Sequence, residues 1–197
     1  MNIDFKKPEI RFYFSFQCPY SYIAWEVLKN LLKQSKANVA PIEIGLLPPG
    51  NTVYHFPELW GTPRWERLSA EAKKLNITIN RPEKYVSAIG AAQAIEAYGS
   101  TSACDYINSV FRAVFTSRID ISISPILKQH LQTEGIDSSI YADCQTRPEA
   151  AKRATEQLLL WGQKRIRMLP TVEYEDERYS GLIDHYSLER HLRAVID

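Results

Sequence analysis

The stretch FSFQCPYSYIAW, residues 14–25, marks the point where a strand pattern changes into a helix pattern. Residues 10–16 read IRFYFSF, in which every second residue is apolar, and this alternation predicts a β-strand. From Pro19 onward the apolar residues recur at helical spacing, and proline suits a first helical turn because its missing N–H group has no partner there. A single thiol, Cys18, therefore stands where the strand gives way to the helix.

The segment that follows predicts a second strand, because residues 39–46, VAPIEIGL, return to an alternating pattern. A right-handed crossover through the first helix would make the two strands parallel. PPGN at 48–51 breaks the chain, and almost everything from about 62 to 162 then predicts helix, including YVSAIGAAQAIEAYG at 85–99. The order indicates a small α/β layer interrupted by a helical insertion.

The end of the chain returns to strand character. LPTVEYEDERYSG, residues 169–181, predicts a β-hairpin with its turn near residues 175–177. A last helix is expected over about 186–195.

Composition excludes several classes of protein. The 197 residues are 45% apolar and 24% charged with a formal net charge of +1, which is typical of a globular domain and gives no strong field for nucleic acid or anionic lipid. No apolar run could span a bilayer, and the first ten residues contain no apolar signal core. We therefore expect a cytoplasmic protein that has neither a nucleic acid nor a membrane as its partner.

The metal-binding residue types show no ligand pattern. Three cysteines without paired spacing argue against a disulfide framework and against a zinc site. The four histidines form no pair at ligand spacing, so no metal is expected.

Cys18 occupies a position that favours reactive thiol chemistry. The N–H groups and the positive end of a helix macrodipole favour a thiolate at a helix N-terminus, where the pKa of a cysteine can fall from roughly 8.5 to between about 3.5 and 7.5. We expect Cys18 to be exposed and anionic near neutrality. The alternative is a buried cysteine that serves as a small apolar residue.

Ser21 stands where a redox protein would carry a second cysteine. A hydroxyl cannot resolve a mixed disulfide, and Cys104 and Cys144 fall on helical segments that are expected to pack. Ser21 can either donate a hydrogen bond to a sulfur anion or bond to the end of its own helix. The sequence therefore argues against a self-contained dithiol oxidase and points to an external thiol such as glutathione.

The motif Cys18-Pro19-Tyr20-Ser21-Tyr22-Ile23-Ala24 resembles the active-site turn of the DsbA-like branch of the thioredoxin superfamily. That branch includes DsbA-type and FrnE-like oxidoreductases, 2-hydroxychromene-2-carboxylate isomerases and kappa-class glutathione transferases. FrnE-like members read roughly C-P-W-C-Y-I-G, whereas the isomerases and the kappa class read S-P-Y-S-[WY]-L, in which serine replaces Cys18. The segments EAYG, FRAVF and DISI between residues 96 and 123 resemble the middle of the family's helical insertion.

The resemblance implies a thioredoxin fold with a large all-helical insertion. Residues 1–60 and 163–197 would form the thioredoxin-like domain, and residues 61–162 the insertion. It also implies a cis peptide bond at Leu169-Pro170, where the family places a proline against the active-site turn.

The resemblance assigns roles to individual residues as well. Cys18 and Ser21 would be catalytic, and Pro19, Tyr20, Leu169 and Pro170 would contact the substrate. Asp184 would also contact the substrate, because it corresponds to a residue that binds the γ-glutamyl group in the isomerases. Its segment is one residue longer than the family's, however, and Asp184 could equally cap the last helix. Tyr54, Trp60 and Trp65 fall where the family builds an apolar acceptor pocket, or belong to the core.

Three functions remain open from the sequence. The first is a monothiol thiol oxidoreductase linked to glutathione as co-substrate, which would act on a small disulfide through Cys18. The second is a glutathione-dependent isomerase or transferase acting on an aromatic electrophile, in which glutathione supplies the sulfur. The third is a binding or chaperone module without turnover. The oligomeric state is also open, with a homodimer as one option.

Overall fold

The computed structural model describes most of the chain between Glu9 and Ile196. The described residues are 9–33, 38–43, 62–83, 87–150, 152, 156, 166, 168–175, 177–181 and 184–196. Residues 44–46 of the predicted second strand and the break at 48–51 lie outside these ranges.

A four-stranded sheet carries the fold, with the strand order β2-β1-β3-β4. Its strands are β1 (Glu9–Phe14), β2 (Asn38–Glu43), β3 (Thr171–Tyr174) and β4 (Glu177–Ser180). β1 and β2 are parallel, as predicted, and β3 is antiparallel to both β1 and β4. Because Tyr13 pairs with Thr171, the end of β1 lies beside the start of β3.

The first helix, α1 (Pro19–Leu32), begins at the predicted proline. β1 ends at Phe14, two residues earlier than predicted, because the chain turns before the helix. The Cys18 N–H donates to the Ser15 carbonyl at 3.0 Å, which closes this turn. Phe16 nevertheless remains in the same buried cluster as the apolar face of β1.

Helices fill the described part of the chain between β2 and β3. They are α2 (Thr62–Lys74), α3 (Ile89–Ala94), α4 (Gly99–Phe115), α5 (Ser124–Thr133) and α6 (Ser138–Gln145). None of the helices in the described ranges combines the length and apolar character needed to cross a bilayer. The division into a thioredoxin-like domain and an insertion at residues 60–61 and 162–163 stays a prediction.

The prediction of nearly continuous helix is wrong in two places. α2 ends at Lys74, and Asn76 then adopts a φ of 56°, a left-handed conformation that asparagine tolerates better than most residues. The helix expected over residues 85–99 is interrupted by a 3-10 turn at Glu96–Tyr98, after which Gly99 has a φ of 66°. The spacing of apolar residues does not predict such breaks, because they depend on the backbone conformation of single residues.

A cluster of aromatic rings joins β1, α1 and the insertion. The Phe111 ring on α4 lies 5.5 Å from Phe14 and 5.2 Å from Phe16, measured between centroids. Tyr22 of α1 stacks on the same ring at 5.4 Å. All four rings are buried, and burial of each side chain contributes roughly 1.5–3 kcal/mol. The cluster therefore holds the strand, the helix and the insertion in fixed relation around the Cys18 turn.

The predicted hairpin is confirmed by β3 and β4, which are joined through Glu175 with a φ of 51°. The last helix, α7 (His185–Ile196), begins one residue earlier than predicted. It packs against α1, so the C-terminal segment covers the helix that carries the Cys18 turn.

Glu71 on α2 links the insertion to α7. One carboxylate oxygen lies 2.6 Å from His185 Nδ1 and accepts the His185 backbone N–H at 3.3 Å, while the other accepts from Lys74 Nζ at 2.6 Å. Partial burial raises the pKa of Glu71, but the hydrogen bonds from Lys74 and His185 outweigh it and hold the pKa at about 2. His185 itself is buried, so this contact is a structural tie between two segments 114 residues apart.

We expect Glu71→Gln to lower the free energy of unfolding by about 1–2 kcal/mol at about pH 7, because the carboxylate is charged and hydrogen-bonded there and solvent near Lys74 screens part of the effect. The folded-state pKa lies below the ordinary 4.5, so this stabilisation is full above pH 4.5 and is lost as the pH falls toward 2. Urea unfolding should therefore show a smaller difference in the free energy of unfolding between the wild type and Glu71→Gln at about pH 3 than at about pH 7. Glu66→Gln, at an exposed position of the same helix, is the control, and an equal loss from both variants would contradict the prediction.

Candidate active site

The turn between β1 and α1 is held by its own polar groups. The Ser15 carbonyl accepts the Cys18 N–H at 3.0 Å, and the Ser15 hydroxyl accepts the Gln17 N–H at 3.2 Å. The Cys18 carbonyl then accepts the first helical bond, from the Tyr22 N–H at 3.2 Å. Because each of these bonds is short and local, the backbone around Cys18 is placed by the turn itself.

The Cys18 sulfur lies between the start of α1 and the segment that precedes β3. Sγ donates to the Leu169 carbonyl across 3.9 Å, a contact that joins residues 151 positions apart. The Ser21 hydroxyl and the backbone N–H groups of Tyr20 and Ser21 lie on the helix side of the sulfur. The structure thus brings together four predicted site residues, Cys18, Tyr20, Ser21 and Leu169.

The expectation that Cys18 is exposed and anionic near neutrality is wrong. The residue is only 4% exposed, and burial raises the pKa of the thiol above its ordinary value. The hydrogen bonds from Ser21 and from the N–H groups of Tyr20 and Ser21 lower the pKa but do not offset the loss of solvation. At neutral pH the resting protein therefore holds Cys18 as a thiol.

The Ser21 hydroxyl lies beside the Cys18 sulfur, and its other partner is Ser15 rather than the end of its own helix. Its oxygen accepts the Ser15 N–H at 3.4 Å, which ties the helix to the preceding strand. A hydroxyl can accept and donate at the same time, so its proton remains available to the Cys18 sulfur, and the hydroxyl lowers the pKa of Cys18. Ser21 is fully buried, so water does not compete for this proton.

The segment from Met168 to Thr171 presents the Leu169 carbonyl to the sulfur. The Leu169-Pro170 peptide bond is cis, and the Leu169 side chain packs near the buried Tyr13. The Pro170 carbonyl accepts the Gly181 N–H at 2.7 Å, and the Thr171 hydroxyl donates to the Met168 carbonyl at 2.7 Å. These bonds hold the segment from both sides.

Pro19 and Tyr20 begin α1 next to the sulfur. Pro19 is buried, whereas Tyr20 is half-buried. Tyr20 packs with Trp65 of α2 against the buried side chains of Ile23 and Leu68. Substrate contacts of Pro19 and Tyr20 stay predictions, as does an acceptor pocket at Trp65, and Tyr54 and Trp60 lie outside the described residues.

Asp184 caps α7. Its carboxylate accepts the Ser187 N–H at 2.8 Å and the Ser187 hydroxyl at 2.9 Å, and these bonds lower its pKa. The capping role that the sequence allowed is therefore present, and contact with a γ-glutamyl group stays a prediction.

The remaining cysteines lie on insertion helices. Cys104 is on α4 and Cys144 on α6, and all three cysteines carry thiols rather than disulfides. The described residues contain no group of three or more histidine, cysteine or acidic side chains arranged to hold a metal ion.

Sequence reasoning missed Ser15, which contributes its N–H, carbonyl and hydroxyl to the turn. A serine directly after the last strand residue, Phe14, and followed by a turn, is a recognised local hydrogen-bonding pattern that could have indicated it. The Glu71–His185 contact had no comparable signal, because it joins distant segments.

A sequence model of the DSBA-like thioredoxin domain matches residues 9–193. The chain belongs to this family. No curated protein sequence matches it. Several solved structures have a similar fold over nearly the whole length of this chain.

A 2-hydroxychromene-2-carboxylate isomerase has 22% identity and a TM-score of 0.78, with 94% of this chain and 95% of the other covered. Reduced DsbA1 from Neisseria meningitidis has 16% identity and a TM-score of 0.65, with coverages of 100% and 86%. The cytosolic disulfide reductase DsbM from Pseudomonas aeruginosa, solved with glutathione, has 13% identity and a TM-score of 0.66, with coverages of 94% and 98%. At these identities the likeness establishes the fold alone.

The raised pKa of Cys18 predicts a distinct pH profile for its alkylation by iodoacetamide. Because the thiolate is the reacting form, the rate should keep rising above about pH 8.5, the ordinary pKa of a cysteine. Ser21→Ala removes a hydrogen bond that lowers the pKa, so the rate at neutral pH should fall roughly three- to tenfold. Peptide mass spectrometry reads the Cys18 adduct, and Ser102→Ala at an exposed site on α4 is the control. A rate that is already constant by about pH 7 would contradict the prediction.

Proposed function

We propose that the chain is a monothiol thiol–disulfide oxidoreductase that works with glutathione through Cys18. The observation that carries the proposal is the position of the Cys18 sulfur, 3.9 Å from the Leu169 carbonyl, with the Ser21 hydroxyl on its other side. One thiol, a hydrogen-bond donor and a backbone acceptor thus meet at one point. This grouping suits a sulfur that changes between thiol, thiolate and mixed disulfide.

The reaction begins with deprotonation of the Cys18 thiol. The thiolate attacks one sulfur of a disulfide, a bond forms between that sulfur and Cys18, and the other half leaves as a thiolate that takes up a proton. The Ser21 hydroxyl and the N–H groups at the start of α1 stabilise the negative charge on Cys18. Because these donors are already in place around a buried sulfur, they do not have to be ordered during the reaction.

The second half of the cycle requires an external thiol. Ser21 replaces the cysteine that would resolve a mixed disulfide, and a hydroxyl oxygen cannot take that role. Glutathione supplies the thiol in this proposal: its thiolate attacks the substrate sulfur of the mixed disulfide, a disulfide between glutathione and that substrate half forms, and Cys18 leaves as a thiolate that takes up a proton. The glutathione-bound structure of the related DsbM, described as cytosolic, supports the choice and a cytoplasmic site of action.

Oxidised glutathione tests the proposal directly. The wild-type protein should gain one glutathione moiety on Cys18, and reduced glutathione should remove it. Cys18→Ala should gain none at that position, whereas Cys104→Ser, which alters a half-buried thiol on α4, should behave like the wild type. Intact-protein and peptide mass spectrometry give the site and the stoichiometry. A wild-type protein whose Cys18 forms no adduct at any pH would refute the oxidoreductase.

A glutathione-dependent isomerase or transferase is the second candidate, and the protonated state of Cys18 favours it. In that case bound glutathione attacks an aromatic electrophile, and the Cys18 thiol donates a hydrogen bond to the glutathione sulfur. Cys18→Ser separates the two, since it should abolish disulfide exchange yet preserve or increase conjugation of glutathione to 1-chloro-2,4-dinitrobenzene. If the wild type shows neither activity, a binding or chaperone module remains.

A further inference from the structure

Two arginines of α2 are within electrostatic range of Tyr20, which stands two residues after the candidate active-site thiol. Tyr20 packs on α2 through Trp65 and Leu68, and its phenol is within electrostatic range of Arg64, Arg67 and Cys18. Arg64 and Arg67 are three positions apart, so they lie on neighbouring turns of the same helix face. The side chain of Tyr20 thus joins the start of α1 to the part of α2 that carries both arginines.

Both guanidinium groups are available to a ligand. Arg64 and Arg67 are exposed, and within the described ranges no carboxylate lies at ion-pair distance from either of them. Arg67 Nε donates to the Pro63 carbonyl at 3.4 Å, which leaves its two terminal nitrogens for a bidentate contact. Glu71, one turn further along α2, is already engaged by Lys74 and His185.

We propose that Arg64 and Arg67 form an anion subsite on α2, next to the start of α1, that selects disulfides carrying a carboxylate. The inference rests on the proposed oxidoreductase function and adds its substrate class. The guanidinium groups bind the carboxylate, and Trp65 covers the apolar part of the substrate next to α1. The disulfide then extends toward the sulfur, because Tyr20 and Cys18 are two residues apart at the start of one helix.

The chemical step is an exchange of one disulfide for another. The Cys18 sulfur bonds to the nearer sulfur of the substrate, the substrate S–S bond breaks, and the departing half leaves as a thiol after taking up the proton that Cys18 gave up. No electrons are gained or lost overall, because one disulfide replaces another. The carboxylate is a spectator that sets the affinity and the orientation of the substrate.

Three small aliphatic disulfides that differ in charge test the subsite: 3,3′-dithiodipropionate is anionic, 2-hydroxyethyl disulfide is neutral and cystamine is cationic. The rate of mixed-disulfide formation at Cys18 is measured with each probe at one fixed alkaline pH by peptide mass spectrometry. In the wild type the anionic probe should react fastest and the cationic probe slowest. Added salt should reduce the difference in rate between the anionic and the cationic probe, since exposed charges are screened.

The double variant Arg64→Gln/Arg67→Gln should lower the rate of mixed-disulfide formation with the anionic probe roughly five- to tenfold. The rate with the neutral probe should change by less than about twofold. The control Lys128→Gln/Arg190→Gln removes the same total charge at exposed positions of α5 and α7 and should leave the order of the probes unchanged. Arg64→Glu/Arg67→Glu should reverse the order in favour of cystamine. Circular dichroism checks that every variant is folded.

Failure of the subsite and failure of the oxidoreductase give different results. If Cys18 reacts with all three probes at rates that the arginine variants do not alter relative to one another, the subsite is refuted and the oxidoreductase stands. An equal loss of selectivity in the control variant also refutes the subsite, because general surface charge then explains the preference. If Cys18 reacts with no probe, both proposals fall.

Discussion

The packing of aromatic rings around Phe111 is the interaction on which the position of the candidate site depends. Phe14 and Phe16 come from the end of β1, Tyr22 comes from the first turns of α1, and all three contact this one ring of the insertion. The Cys18 turn lies between these residues in the sequence. Its backbone is therefore fixed at both ends by burial, and the local bonds of Ser15 need only close a short loop.

The same packing explains why the sulfur is a poor thiolate in the resting protein. Burial removes the water that would solvate a negative charge, and three hydrogen bonds from Tyr20 and Ser21 restore only part of that solvation. A helix N-terminus is thus insufficient to make a cysteine anionic when the surrounding side chains exclude solvent. The arrangement favours chemistry in which the charge develops only when a substrate binds.

Much of the fold followed from residue patterns. The alternating residues before the turn, the proline at the first helical position and the hairpin near Glu175 all predicted elements that the structure contains. The breaks after Lys74 and at Glu96–Tyr98 did not follow, because each is decided by one or two backbone conformations within an otherwise apolar helical pattern. The proximity of Leu169 to Cys18 came only through the resemblance to a family, since no local pattern links residues 151 positions apart.

By itself the sequence determined the identity of the chemistry-bearing groups: one thiol at a strand-to-helix junction, and a hydroxyl where a second thiol would stand. These are local properties, set by residue type and spacing. Tertiary structure alone decided the protonation of Cys18, the placement of Arg64 and Arg67 near Tyr20, and the bond between Glu71 and His185. Solvation and long-range electrostatics depend on which distant side chains surround a group, and that is settled only when the chain packs.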